Sequence, residues 1–400
     1  MRLKKVSTKS MHTDLLYLAG PTDAKRVYSA WNSDEQDVGY FGSDYLRQFL
    51  DVCKETGLSA TVVSLNKGDD FSDGSFTFLF RPIPWVEKGG LRFHAGQILY
   101  MLRMVVFIYW YRHKTFLVAQ CRPYWFLLLL LKPLRVRVIA SIHCVLWQRF
   151  HKPRLVTRCL YAFTRWFFSH QASAILTHSS AVSDQLVQLY PTAESKVVRF
   201  LPVYPKEKFQ GVTEPLHQKD PFRVLFIGRV EENKGALDLI EIAALAKSFT
   251  SREVCFDVCG DGSDFSRLRS AVRAADCTVN ISLRGYCDAS EVTEAICRAH
   301  VLIVPTRTEF IEGFNKVVVE GVLSGRPVVS SRVCPAVDVV ERAVYIVPPN
   351  DCVEYAKAIG KLASDEALYL QYRRASADYC DRFYDEEQSW GAKLKEVLES

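Results

Sequence analysis

Two glutamates pose the first chemical question. In FIEGFNKVVVEGVLSGRPVV, Phe310 to Val329, Glu312 and Glu320 stand eight positions apart. Helical periodicity starts near Phe314, with Val317, Val318, Gly321 and Val322 on one face, Gly325 as a C-terminal stop and Pro327-Val328-Val329 restarting as a strand. A helix beginning there aims the backbone N–H groups of Gly313, Phe314 and Asn315 outward as orphan donors suited to phosphate. At the helical rise the two carboxylates would lie about 12 Å apart. A nucleoside diphosphate sugar has that length from its hexose hydroxyls, across the diphosphate, to its ribose diol. A carboxylate at each end could accept hydrogen bonds from hydroxyls. The bland alternative is a first-turn acid at Glu312 and a solvated Glu320 one turn after Lys316.

Three more short stretches fall where a strand gives way to a helix. GRVEENKG holds Gly228, Arg229, Lys234 and Gly235, and two cations beside a helix N-terminus make an anion site. GDG, Gly260 to Gly262, allows a tight turn and close backbone approach. In LRGYCDASE, Gly285 and Tyr286 end a strand and could frame a flat base through backbone polar groups. Each alone reads equally as an ordinary turn or a solvated loop. In the first half of the chain, ASIHCVLWQR puts His143 at a strand end, a position either structural or reactive.

The elements that must position these residues are legible as alternation. FRVLFIG, CFDVCG, VNISLRG, VLIVP and PVVSS read as strands; between them, helices are expected over Ala236–Ser248, Asp264–Ala275, Ser290–Arg298 and Phe314–Leu323. Apolar strands alternating with amphipathic helices predict a parallel, doubly wound sheet, which binds ligands at the carboxyl ends of its strands. Earlier, Asp14–Ala19, Ala60–Leu65, Val138–His143 and Ala174–His178 read as strands of one sheet, with a helix over Asp44–Glu55 and the leucine run Leu127–Leu131 as a core helix. Prolines at 202, 205, 215 and 221 mark a linker. The expected division is a first domain over 1–200, a linker over 201–221, a second domain over 222–380 and a last helix over 381–400.

Four hundred residues, 48% hydrophobic and 24% charged, fit two globular domains and exclude disorder. The only apolar run near the start, Leu15–Ala19, is shorter than the roughly 7–15 residues of an export-signal core. The uncharged runs Met104–Tyr111 and Tyr124–Leu131 fall below the roughly 20 residues that span a bilayer, so no transmembrane helix is expected. Twelve scattered cysteines without a CxxC pair read as reduced, small hydrophobes of a cytoplasmic protein rather than as a metal site.

GRVEENKG, GDG, LRGY and EGFNKVVVEGVLSGRPVV together resemble the second domain of retaining glycosyltransferases of family four, from about Phe222 to Ile359. The resemblance implies the GT-B fold: two Rossmann-like, doubly wound domains facing an interdomain cleft. It implies that Glu320 binds the ribose diol, that Glu312 lies near the donor hexose and that Arg229 and Lys234 neutralise the diphosphate. Gly228, Tyr286, Gly313, Phe314 and Asn315 complete the implied donor site. It places His143 beside the reacting sugar, although Cys144 stands where the family often has aspartate. The family's early glycine-rich loop falls at Gly42, after an insert over Pro21–Gly39, and SRVCPAVDVV replaces a usual glycine pair near the donor. No cofactor, no metal and no protein nucleophile are implied.

From Lys88 to Ser183 the chain carries fourteen Lys and Arg and no Asp or Glu, so this 96-residue block holds +14 of a net charge of +6. Its cations alternate with aromatics, as in PRLVTRCLYAFTRWFFSH, where Arg154, Arg158 and Arg165 share a helical stripe. This composition fits an anionic membrane surface or a lipid diphosphate better than nucleic acid, which is not expected as a partner. The sequence thus reads as a metal-independent hexosyltransferase, peripheral on the cytoplasmic face of a membrane, that uses a UDP- or GDP-linked donor and a lipid-linked or glycan acceptor. The alternative reading is an inactive nucleotide-sugar-binding subunit of a polysaccharide assembly complex.

Overall fold

The computed structural model describes residues 13–33, 43–119, 124–213, 217–275 and 279–400, and Gly42 lies outside them. The chain forms two compact units. The first takes residues up to Leu146, then Pro153–Leu201 and Glu387–Ser400; the second takes Trp147–Lys152 and Pro202–Glu386. The proline-rich stretch read as a linker therefore belongs to the second unit from Pro202 onward, where Tyr204, Phe209 and His217 are buried.

The first unit runs β1 (Leu15–Gly20), α1 (Ala24–Asn32), α2 (Ser43–Thr56), β2 (Ala60–Ser64), β3 (Phe71–Asp73), β4 (Phe76–Phe80), α3 (Gly90–Tyr111) and β5 (Thr115–Val118). After a 3-10 helix, Trp125–Leu134, come β6 (Arg137–Ile142), α4 (Leu155–Trp166), β7 (Ala172–Thr177), α5 (Ser180–Leu189) and β8 (Val197–Arg199). The sheet order is β3-β4-β2-β1-β5-β6-β7-β8, parallel except at β3. β2 (ATVVS) is buried throughout and β1 (LLYLAG) nearly so, as strands covered on both faces must be. The step from β1 to β2 runs one way along the sheet, whereas the steps from β4 through β8 run the other way. Right-handed crossovers therefore put α1 and α2 on one face and α3, the 3-10 helix, α4 and α5 on the opposite face.

Three sequence expectations change here. The supposed insert at Pro21–Gly39 contains a core helix, α1, which Asp23 caps by accepting from the Arg26 N–H and which buries Val27 and Tyr28. The leucine run forms a 3-10 rather than an α-helix, with Leu128 and Leu131 buried and Leu130 exposed. Met104–Tyr111 is only the end of α3, whose 22 residues are long and apolar enough to cross a membrane. Counting uncharged runs had stopped at Arg103. Gln97, Tyr100, Met101, Met104 and Ile108 of α3 are buried within the unit.

The second unit contains α6 (Glu207–Gln210), β9 (Phe222–Ile227), α7 (Asp238–Ala246), β10 (Val254–Cys259), α8 (Phe265–Ala275), β11 (Ile281–Gly285), α9 (Ala289–Arg298) and β12 (Val301–Val304). It continues with α10 (Lys316–Leu323), β13 (Val328–Ser330), α11 (Ala336–Val339), β14 (Val344–Ile346), α12 (Cys352–Ser364) and α13 (Glu366–Tyr384). Six parallel strands lie in the order β11-β10-β9-β12-β13-β14, the doubly wound arrangement expected of the alternation. The core gathers Val224, Phe226, Phe256, Val258, Ile303 and Val329 from the strands with Ile242 and Ile359 from the helices. The last helix, α14 (Trp390–Glu399), belongs to the first unit, where it packs against α2 and β7 and buries Trp390 and Leu394.

Candidate functional site

The strand ends of the second unit are locked together by glycines. The Gly228 N–H donates to the Cys259 carbonyl at 3.0 Å, and the Gly260 N–H donates to the Gly285 carbonyl at 2.7 Å. Gly260 has φ +153°, and a Cβ there would collide with the Gly228 carbonyl, so the GDG turn serves backbone contact between neighbouring strand ends. A Cβ on Gly235, at φ +73°, would likewise collide with the Pro305 carbonyl after β12. One acceptor position of the Gly285 carbonyl is thus already used, and the Tyr286 side chain is exposed.

Between the β9 and β12 ends sits a shielded ion pair. Lys234 Nζ donates to Glu312 Oε2 at 2.6 Å, with the two side chains only 15% and 9% exposed. Asn315 Nδ2 donates to the same oxygen at 2.9 Å, and the Gly313 N–H donates to Oε1 at 3.1 Å. Both Lys234, at 3.9 Å, and Arg229, at 5.7 Å, lie over the Phe310 ring. Arg229 also pairs with Glu231 at 2.6 Å. The cluster brings a carboxylate, two cations and an amide to one strand-end edge. Arg229 is the more exposed cation, at 58%.

The helix after this cluster starts later than the sequence suggested. α10 begins at Lys316, and Asn315 precedes it in the left-handed region, φ 72°. First-turn amides therefore belong to Lys316 and Val317, while the Gly313 N–H is already held by Glu312. Asn315 contributes its side chain, which also donates to Cys334 Sγ at 3.5 Å. Cys334, within the stretch that replaces a glycine pair, is buried; burial pushes its thiol up to about 12, and the Glu312 carboxylate adds to the shift. The thiol stays neutral there. Phe314 is buried, as are Val318, Val319, Gly321 and Val322, so Val319 rather than Val317 faces the core.

Glu320 is half-buried and paired rather than freely solvated. Its Oε1 accepts from Lys208 Nζ at 2.8 Å, and Lys208 in turn lies over the Tyr204 and Phe209 rings. The segment Trp147–Lys152 also joins this unit: Gln148 Nε2 donates to the Glu309 carbonyl at 3.1 Å, and Arg149 pairs with Asp338 at 2.6 Å.

In the first unit His143 follows β6, half-buried at the carboxyl end of the sheet. Ser141 Oγ lies 2.9 Å from His143 Nε2 and accepts from Trp390 Nε1 at 2.9 Å. An indole N–H only donates, so it fills one acceptor position of the Ser141 hydroxyl, whose hydrogen bond with His143 Nε2 takes its direction from the ring's tautomer. Tyr45 packs on the imidazole with ring centroids 4.2 Å apart, and Tyr45 Oη lies 3.4 Å from His178 Nε2.

The structure thus brings Arg229, Lys234, Glu312 and Asn315 together, places Glu320 on α10 with a partner of its own, and sets His143 in the other unit. Sequence reasoning missed Lys208, Ser141, Tyr45 and Trp390. Only Ser141 had a signal, the two-residue spacing that puts it on the same strand face as His143.

Residues 221–365 match the family Glycosyl transferases group 1. An exopolysaccharide phosphotransferase of Streptomyces coelicolor is 31% identical over 128 residues, which are 31% of this chain and 13% of that protein's length. Among solved structures, an α,α-trehalose-phosphate synthase (UDP-forming) from Burkholderia vietnamiensis superposes with a TM-score of 0.70 at 14% identity, covering 97% of this chain and 99% of that one. Anabaena HepE in complex with UDP gives a TM-score of 0.65 at 14% identity, covering 96% and 99%. The match to group 1 glycosyl transferases therefore falls within the second unit, and the chain has the GT-B fold of the family-four glycosyltransferases that its sequence resembles.

Proposed function

We propose that the chain is a retaining, metal-independent glycosyltransferase. It moves a hexose from a nucleoside diphosphate sugar to a lipid-linked or glycan acceptor during polysaccharide or glycolipid synthesis, at the cytoplasmic face of an anionic membrane. The observation that carries this reading is the Lys234–Glu312–Asn315 cluster beside Arg229, at the strand ends of a domain that matches group 1 glycosyl transferases. Of the two donor bases, uracil is favoured by the UDP seen in HepE. The ten described cysteines, all free, accord with a reducing compartment.

The chemistry follows from charge. Breaking the bond between sugar and phosphate builds positive charge at the anomeric carbon and negative charge on the departing diphosphate. Preorganised cations aimed at the latter lower the barrier. Lys234, already oriented by Glu312 and Phe310, and Arg229, exposed and able to turn, fill that role. Glu312 faces the hexose hydroxyls with its remaining acceptor capacity. Glu320 exchanges Lys208 for the ribose diol. His143, hydrogen-bonded to Ser141, is the residue of the first unit assigned to the reacting sugar.

The test is thermal unfolding with excess UDP, GDP, ADP or CDP, on the natural chain and on Glu320→Ala. A ligand at 100 times its Kd adds about 2.7 kcal/mol, a shift of several degrees. One nucleotide should shift the natural chain, and Glu320→Ala should lose most of that shift. Absence of any shift in either protein removes the donor site and with it this function. A nucleotide shift without sugar transfer to any lipid or glycan acceptor leaves the inactive-subunit alternative.

A further inference from the structure

We propose that the outer face formed by α3, the 3-10 helix and α4 is the surface that lies on an anionic lipid bilayer. The proposal deepens the membrane part of the reading above and does not depend on which sugar is transferred. α3 shows an uncovered stripe: Leu91 is 88% exposed and Trp110 72%, with Ile98, Leu102 and Val106 between them. At about 100° per residue these five fall within roughly one third of the helix circumference. α4 has the same design. Leu155 at 74%, Phe163 at 65% and Trp166 at 63% exposure line one side, while its buried residues, Tyr161 and Thr164, line the other.

Both stripes belong to one layer. α3 and α4 each pack against the 3-10 helix, all three lie on the same face of the sheet, and Leu130 of the 3-10 helix is itself exposed. Arg92 and Arg103 border the stripe on α3; Arg154, Arg158 and Arg165 border that on α4, all five exposed. No acid occurs anywhere from Lys88 to Ser183.

This pairing of apolar stripes with cationic edges selects the occupant. A second copy of the chain seated here would set arginine rows against arginine rows with no carboxylate to answer them. A polynucleotide would meet the cations and leave the leucines and tryptophans wet. A bilayer meets both, taking the apolar side chains into the headgroup boundary and the guanidinium groups onto its phosphates. α3 lies along that surface rather than across it, because its opposite face is buried within the unit.

The test is flotation of the full chain with vesicles of phosphatidylcholine alone or doped with phosphatidylglycerol, at low and high salt. The natural chain should float with the anionic vesicles, less so at high salt, and not with the neutral ones. The double variant Arg154→Glu with Arg158→Glu should lose ~30-fold or more in partitioning. Leu102→Glu with Trp166→Glu should lose comparably, and brominated lipid should quench the natural chain's tryptophan fluorescence. Each variant should keep the nucleotide-dependent thermal shift, which certifies its fold and separates failure here from failure of the donor site. Partitioning unchanged in both variants, equal binding to neutral vesicles, or a concentration-dependent dimer dissolved by Leu102→Glu with Trp166→Glu would each overturn the proposal.

Discussion

At the scale of single residues, the Lys234–Glu312 pair is the centre of the proposed donor site and also a stability element. Both groups are shielded, so removing one strands the other's charge away from water, at a cost of about 3–5 kcal/mol. Glu312→Ala should therefore lower the unfolding midpoint, and adding Lys234→Ala should recover part of the loss, while both single variants lose transfer. Denaturant unfolding of the four members of this double-mutant cycle gives the coupling directly. Additive losses would mean that the two side chains do not share a site. At neither residue would a stability effect alone explain lost activity, so nucleotide binding must be measured alongside.

At the scale of elements, α14 reaches His143 without touching its ring nitrogen, through the Trp390–Ser141–His143 chain. Trp390→Phe keeps most of the buried volume and removes the indole N–H. It should cost about 1–3 kcal/mol, since Ser141 loses its donor. It should also shift the ¹⁵N resonances of His143, because the Ser141 hydroxyl that bonds its Nε2 loses a partner. An unchanged His143 spectrum would reduce Trp390 to packing. The alternation in the second unit was legible because strands covered on both faces read as plain apolar runs: FRVLFIG and CFDVCG end within a residue of β9 and β10. α1 was lost inside a supposed insert because a nine-residue amphipathic helix is a short signal beside Pro21. Among site groups, Arg229, Lys234 and Glu312 announced themselves by charge at strand ends. Lys208 and Trp390 did not, because 112 and 249 residues separate them from Glu320 and Ser141, and no local pattern encodes such a meeting.

At the scale of the whole molecule, the two units exchange chain. The first recovers Glu387–Ser400 after the second is complete, and the second takes Trp147–Lys152 from the middle of the first. A chain ending at Glu386 should keep a nucleotide-dependent melting transition from the second unit while the first loses its cooperative transition. Two intact transitions would show that α14 is dispensable. α14 fills a hole rather than decorating a surface: Trp390, Leu394 and Val397 are buried in the core with Tyr17 and Phe49, and Arg137 donates to the Val397 carbonyl. This return sets an order of events on the ribosome. The first unit emerges first, yet it must wait unsealed while about 200 further residues are made, roughly 10–40 s at ordinary elongation rates. During that interval the second unit can close, and the half that is synthesised first is the half that finishes folding last.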